Sequence, residues 1–176
     1  MNRIDELLRV VTSAHGSEPD VHAREHAADE LVAIAAEARP RVLELLAREP
    51  TRESAPLAEL AARLGGAESV PLLARLLHAP QLPVRVAAAR ALAAHPESAG
   101  ARALLEALAS RDADAVVAAA DAVTDPAACV RLEQAAAHPD ATVRYHVISA
   151  ALRLGCGWAA QRAAADHDPD VQALAR

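Results

Sequence analysis

The sequence predicts an all-α protein, an α-solenoid of about six antiparallel helix pairs running through residues 1–176 as one domain. Three observations predict it. A polar helix-starting residue followed by an Ala-rich stretch recurs about every 30 residues, as stacked repeats require. Apolar residues inside each stretch follow the helical period, and no alternating run calls for a strand. Pro and Gly punctuate the intervals between stretches.

The second helices of the pairs set the register. Ala23, Pro56, Val84, Ala115, Val143 and Val171 are equivalent positions, spaced by 33, 28, 31, 28 and 28 residues. Three residues before them stand Asp20, Glu53, Gln81, Asp112, Asp140 and Asp168. Asp in particular accepts the orphan backbone N–H groups of a helix start, so each of these is expected at an N-cap. One face is then buried, through Val84, Ala88, Ala91 and Leu92 in the third copy and Val143, Val147, Ala150 and Ala151 in the fifth.

The elements follow in chain order. Residues 4–11 form the first helix of the first pair, and Pro19 sits in the turn before the Asp20 copy. Pro40 precedes a helix at 42–46, Pro50 its turn, and the Glu53 copy ends at Gly65 and Gly66. Residues 70–77 lead through Pro80 and Pro83 into the Gln81 copy, which Pro96 and Gly100 separate from a helix at 103–108. The Asp112 copy ends before Pro126, residues 129–136 lead through Pro139 into the Asp140 copy, and Gly155 and Gly157 close it. Residues 158–164, Pro169 and a truncated copy from Asp168 complete the chain as given.

Composition narrows the function. Alanine supplies 48 residues, all 18 basic residues are Arg, and a single Tyr and a single Trp are the aromatic rings besides histidine. Small side chains let helices approach closely but bury little area each, so stability comes from many modest contacts. The net charge of −6 divides evenly between residues 1–88 and 89–176. No basic lobe exists to attract nucleic acid or an anionic membrane surface. Cys129 and Cys156 have no CxxC partner and are expected as buried thiols; with no apolar run near membrane-spanning length and a charged start unlike a leader, the expectation is a soluble cytoplasmic protein.

The runs Leu82-Pro83-Val84-Arg85-Val86-Ala87-Ala88-Ala89-Arg90-Ala91-Leu92 and His138-Pro139-Asp140-Ala141-Thr142-Val143-Arg144, with Asp168-Pro169-Asp170-Val171, resemble the turn and second helix of the HEAT-like repeat family, including the short form first described in phycobilisome lyases. The resemblance covers nearly the whole chain. It is poor in the Glu53 copy, and Val116 stands where the family usually carries Arg. It implies an Asp–Arg ladder between neighbouring repeats, here Asp20, Asp112, Asp140 and Asp168 with Arg24, Arg85 and Arg144. Buried charges are paired, so these residues are expected to be structural. Activity does not follow, because such repeats host unrelated functions.

No catalytic residue, metal or cofactor is expected. His22-Ala23-Arg24-Glu25-His26 matches the H-x-x-E-H pattern of inverted zinc peptidases, but no downstream third ligand accompanies it. A solvated helix face is the simpler account. His78, His138 and His167 fall in turns, where capping explains them, and adjacent repeats about 10 Å apart would not share one ion. The His-Glu dipeptides of HEAT-like hydroxylases are missing, neither cysteine has a His near it in the repeat alignment, and the basic, aromatic-rich cleft of HEAT-like DNA glycosylases has no counterpart.

What remains is a binding surface. In solenoids of this kind the second helices line the concave side. Their outward positions give Glu59, Val86, Arg90, Val117, Asp121, Tyr145 and His146 as the expected partner contacts, with an apolar strip of Val86, Ala87, Val117 and Ala118 in the middle. The same small residues are equally explained as spacers between packed helices. The expected function is a scaffold or adaptor for another protein or peptide, with no nucleic acid and no membrane as partner. The alternatives are a HEAT-like lyase, glycosylase-like or metal-dependent enzyme, and a structural subunit that homodimerises through the C-terminal repeat, where Trp158 covers an exposed edge.

Overall fold

The computed structural model describes residues 2–13, 18–95 and 98–176, and every regular element among them is helical. The helices fall into consecutive pairs: α1 (Arg3–Val11) with α2 (Glu18–Ala33), α3 (Ala35–Leu46) with α4 (Ser54–Leu64), and α5 (Ser69–Leu76) with α6 (Leu82–Ala94). Then come α7 (Ser98–Leu108) with α8 (Ala113–Ala122), α9 (Cys129–Ala135) with α10 (Ala141–Arg153), and α11 (Ala159–Ala164) with α12 (Pro169–Ala173). A 3-10 turn at Pro126–Ala128 leads into α9. Each helix packs on its pair mate, and each second helix from α2 to α10 packs on the next second helix. The first helices α3, α5, α7 and α9 do likewise.

Alanine sets how closely the second helices approach. Ala58, Ala88, Ala115, Ala119, Ala120 and Ala151 are fully buried, and Leu31, Leu60, Leu92, Leu104, Leu132 and Ile148 fill the space between the layers. The core runs from Leu8 to Val171 without a break, as neighbour-on-neighbour packing dictates. Gly100 marks a close approach. A Cβ there would stand 2.4 Å from the Leu92 carbonyl oxygen, so the first turn of α7 lies directly against the end of α6.

Three of the expected caps form. Asp112 accepts from the N–H groups of Asp114 and Ala115, Asp140 from Thr142, and Asp168 from Asp170 and Val171. A second device accompanies them. The residue two before the cap accepts the cap's own N–H: Ser110 for Asp112, His138 for Asp140 and Asp166 for Asp168, and likewise Thr51 for Glu53.

Elsewhere the structure corrects the sequence reading. Asp20 is not a cap, because α2 already begins at Glu18, and Ala23 is exposed where the equivalent Val84, Ala115, Val143 and Val171 are buried. From Ala27 onward the buried positions of α2 follow the repeat. Glu53 and Gln81 hold cap positions without side-chain caps, Gln81 donating instead to the Pro50 carbonyl. Pro40 lies inside α3 rather than before it. The carbonyl deprived of its partner is that of Ala36, an exposed residue that water reaches. Pro19 and Pro83 stand within the first turns of α2 and α6, where a missing N–H is tolerated.

The arginine ladder exists in altered form. Arg144 holds Asp166, not Asp168, through two bonds of 2.9 Å, with side chains 5% and 4% exposed. The same guanidinium donates to the carbonyls of His138 and Pro139. Arg85 repeats this on Ala79 and Pro80 and pairs with Asp114 at 3.0 Å rather than with Asp112. Arg24 donates to the backbone oxygen of Asp20 within its own helix. The Arg144 guanidinium lowers the Asp166 pKa to about 2, outweighing desolvation, and the Asp168 N–H adds to the effect.

Further arginines cap the carbonyl ends of other helices. Arg39 reaches Leu64, Arg75 reaches Arg48, Arg153 reaches Ala120 and Val123, and Arg162 reaches Ala136.

The expectation of free thiols fails: Cys129 and Cys156 form a disulfide, with Cα atoms 5.6 Å apart. Their separation of 27 residues is nearly one repeat, so stacking brings the start of α9 beside the approach to α11. That spacing is the sequence signal that would have paired them.

Two measurements test these ties. Reduction, or Cys129→Ser with Cys156→Ser, should lower unfolding free energy in urea by about 3.5 kcal/mol, the chain-entropy value for such a loop. Asp166 has its pKa depressed when folded, so its contribution is complete above about pH 5 and is lost as pH falls through 4 toward 2, a decline of roughly 2 kcal/mol. Asp166→Asn should be less stable near neutral pH and should lack that acid-dependent decline in urea melts run across pH.

Candidate functional site: the outer face of the second helices

The turn edge and the outer face of the second helices differ in one respect. At the turn edge the polar groups are occupied by one another. His78 Nδ1 lies 2.7 Å from Asp112 Oδ2, and this bond, with the capping N–H groups, holds the Asp112 pKa below its usual range although burial acts the other way. His138 accepts from its own turn, and His167 Nε2 lies 3.2 Å from Arg144 Nη2. The three turn histidines therefore have three separate tasks.

The outer face carries the residues expected to contact a partner. Glu59 on α4, Arg90 on α6 and Asp121 on α8 are exposed, as is Tyr145 on α10, while Val86, Val117 and His146 are half-buried. Not all are available. His146 Nδ1 sits 2.8 Å from Asp121 Oδ1, tying α10 to α8, and its ring meets Tyr145 edge-on with centroids 5.6 Å apart. Arg63 pairs with Asp29 in the same manner between α4 and α2. Arg90, Glu59 and the Tyr145 hydroxyl have no bonding partner among the described residues. The middle strip divides: Ala87 and Ala118 are buried spacers, whereas Val86 and Val117 remain partly open to solvent.

Two open grooves lie at the ends of this face. One, of about 300 Å³ between α2 and α4, has Val21, Ala28, Pro56 and Leu60 in its walls and Glu25 and Glu59 among its polar residues. The other, of about 460 Å³ between α10 and α12, is lined by Thr142, Tyr145, Asp168 and Asp170 with Ala141 and Ala173. No model of a known protein family matches this chain, and no curated protein matches it either. The surface must therefore be judged on its own chemistry.

Among the described residues no three His, Cys, Asp or Glu side chains gather as a metal site would need. In the H-x-x-E-H stretch, His26 Nδ1 instead lies 3.1 Å from Glu30, a residue that Arg3 also holds. A buried Ser69–His95 contact of 3.0 Å joins the start of α5 to the end of α6, with both residues on the Gly66 carbonyl. Ser69 is 1% exposed, so this pair fastens a turn and offers no nucleophile to a substrate. Trp158 stands at the N-cap of α11 with its Nε1 buried and without a hydrogen-bond partner among the described residues, part of the wall of a smaller cleft between α9 and α11.

Arg90 and Arg153 separate surface function from structural work. Arg90→Ala removes no internal bond and should change stability by less than about 0.5 kcal/mol. Arg153→Ala uncaps buried carbonyls of α8 and should cost about 1–3 kcal/mol in the same denaturation assay.

Proposed function

We propose that the protein is a HEAT-like α-solenoid that serves as a scaffold or adaptor, binding another protein or a peptide on the outer face of its second helices. Sequential pairing of the twelve helices among the described residues, with the most extensive packing between near neighbours, supports the solenoid reading. The single observation that carries the binding reading is the state of Arg90 and Tyr145. Both are residue types enriched at binding hot spots, both are exposed, and neither side chain's polar end is used by the fold. Val86 and Val117 supply apolar surface between them.

Location enters through the cysteines. No helix among the described residues is long and apolar enough to cross a membrane. Disulfides persist in oxidising compartments and are uncommon in a reducing cytosol, so the Cys129–Cys156 bond favours an oxidising compartment over the expected cytoplasm.

The test is affinity purification from the native cell, comparing the intact protein with a variant carrying Arg90→Ala, Tyr145→Ala and His146→Ala, each confirmed folded by circular dichroism. A partner retained by the intact chain and lost by the variant is the expected result. Equal recovery of that partner by both would remove the outer face from consideration.

A further inference from the structure

We propose that the Cys129–Cys156 disulfide is a redox latch. Oxidised, it stops an opening of α11 and α12 from spreading into α9 and α10; reduced, it lets these four helices open together while α1 to α8 stay folded. The bond joins residues 27 apart, and the span between them contains α9 and α10 entire, with α11 and α12 beyond it. Those two are the shortest α-helices among the described residues, and helices of six and five residues persist only while packed. In a stack where each pair rests on its neighbours, opening spreads from pair to pair. When it reaches α9 and α10, the intact bond keeps that span a closed loop and withholds chain entropy from the open state. For a loop of this size the open state is suppressed about 300-fold.

The surroundings of Cys156 suit a tie that can be released. Gly155 and Gly157 flank it, both exposed, and a Cβ at either would meet nothing within 4 Å. Side-chain packing therefore does little to hold the connection between α10 and α11, and the disulfide joins it to the start of α9. Arg162 adds a hydrogen bond from α11 to the Ala136 carbonyl and Arg144 holds Asp166, but both contacts are non-covalent and open with the helices. The opening also parts His146 from Asp121, and Arg153 from the carbonyls of Ala120 and Val123, so it takes α10 out of the outer face. The latch acts whether or not that face binds a partner.

Release takes a dithiol. Cys129 is partly exposed and Cys156 buried, so the incoming thiolate attacks Cys129 Sγ, and the S–S electron pair leaves on Cys156 Sγ, which takes up a proton. The second thiol of the reductant then displaces Cys129. Both cysteines end as thiols and the reductant as a disulfide, with two electrons transferred.

The experiment follows backbone amide hydrogen exchange by mass spectrometry in the full chain near neutral pH, oxidised and after complete reduction by dithiothreitol, verified by thiol titration. Amides of α9 and α10 should exchange on the order of a hundredfold faster once reduced, within the limit that loop closure sets. Those of α3 to α6 should change by less than about twofold, and reoxidation should restore slow exchange in α9 and α10. Cys129→Ser with Cys156→Ser should reproduce the reduced pattern without reductant. Unchanged exchange in α9 and α10 after complete reduction overturns the latch. Equal acceleration in α3 to α6 does so too, because the chain would then open as one cooperative unit. A double variant that does not fold at all has the same force, since α1 to α8 must stay folded without the bond.

Discussion

The close approach of one second helix to the next at alanine is the constraint on which the rest of the structure depends. Ala58, Ala88, Ala119 and Ala151 are each at zero exposure, and no larger side chain would leave the helices at that separation. Because they stand so close, the side chains beside the seam are pushed either into the space between layers or out to solvent. Leu60, Leu92 and Ile148 take the first course, and Glu59, Arg90 and Tyr145 the second. The outer face is thus a consequence of the packing. Its closed middle and open ends follow from where alanine is dense and where it thins.

Arginine complements alanine. A core of small side chains leaves helix ends with carbonyls that no bulky neighbour covers, and five rigidly arranged donors can reach several of them at once. Arg144 spans a carboxylate and two carbonyls, Arg85 does nearly the same, and Arg153 closes the end of α8 from α10. Lysine, a point charge, could not divide itself in this way. The use of Arg for every basic residue therefore has a structural consequence whatever its origin. Arg90, like Arg52, Arg111 and Arg176, has no side-chain bonding partner among the described residues.

The C-terminal pair shows how short helices are retained. Helices α11 and α12 are six and five residues long and would not persist alone. The Arg144–Asp166 pair fastens the turn between them to α10, and the Cys129–Cys156 bond fastens their approach to α9. One tie is electrostatic and is weakened by acid; the other is covalent and is weakened by reductant. The groove beside Tyr145 is lined by α10 and α12, the elements that the Arg144–Asp166 pair draws together.

The sequence by itself determined the helical period, the number of pairs and the caps at Asp112, Asp140 and Asp168, because these are local: a side chain meeting backbone a few residues away, or an apolar spacing along a single helix. It also indicated exposed positions at Glu59, Arg90, Asp121 and Tyr145 on α4, α6, α8 and α10, since helical phase alone sets which face a residue takes. Only the tertiary structure decided which carboxylate each ladder arginine holds. Asp166 and Asp114 lie within two residues of the expected Asp168 and Asp112, and the choice turns on ångström-scale turn geometry that spacing does not encode. It likewise decided that Pro40 lies inside a helix, that the two cysteines meet, and that His146 is committed to Asp121 while Arg90 has no bonding partner among the described residues. Those outcomes depend on contacts between repeats, where distance in the chain and distance in space part company.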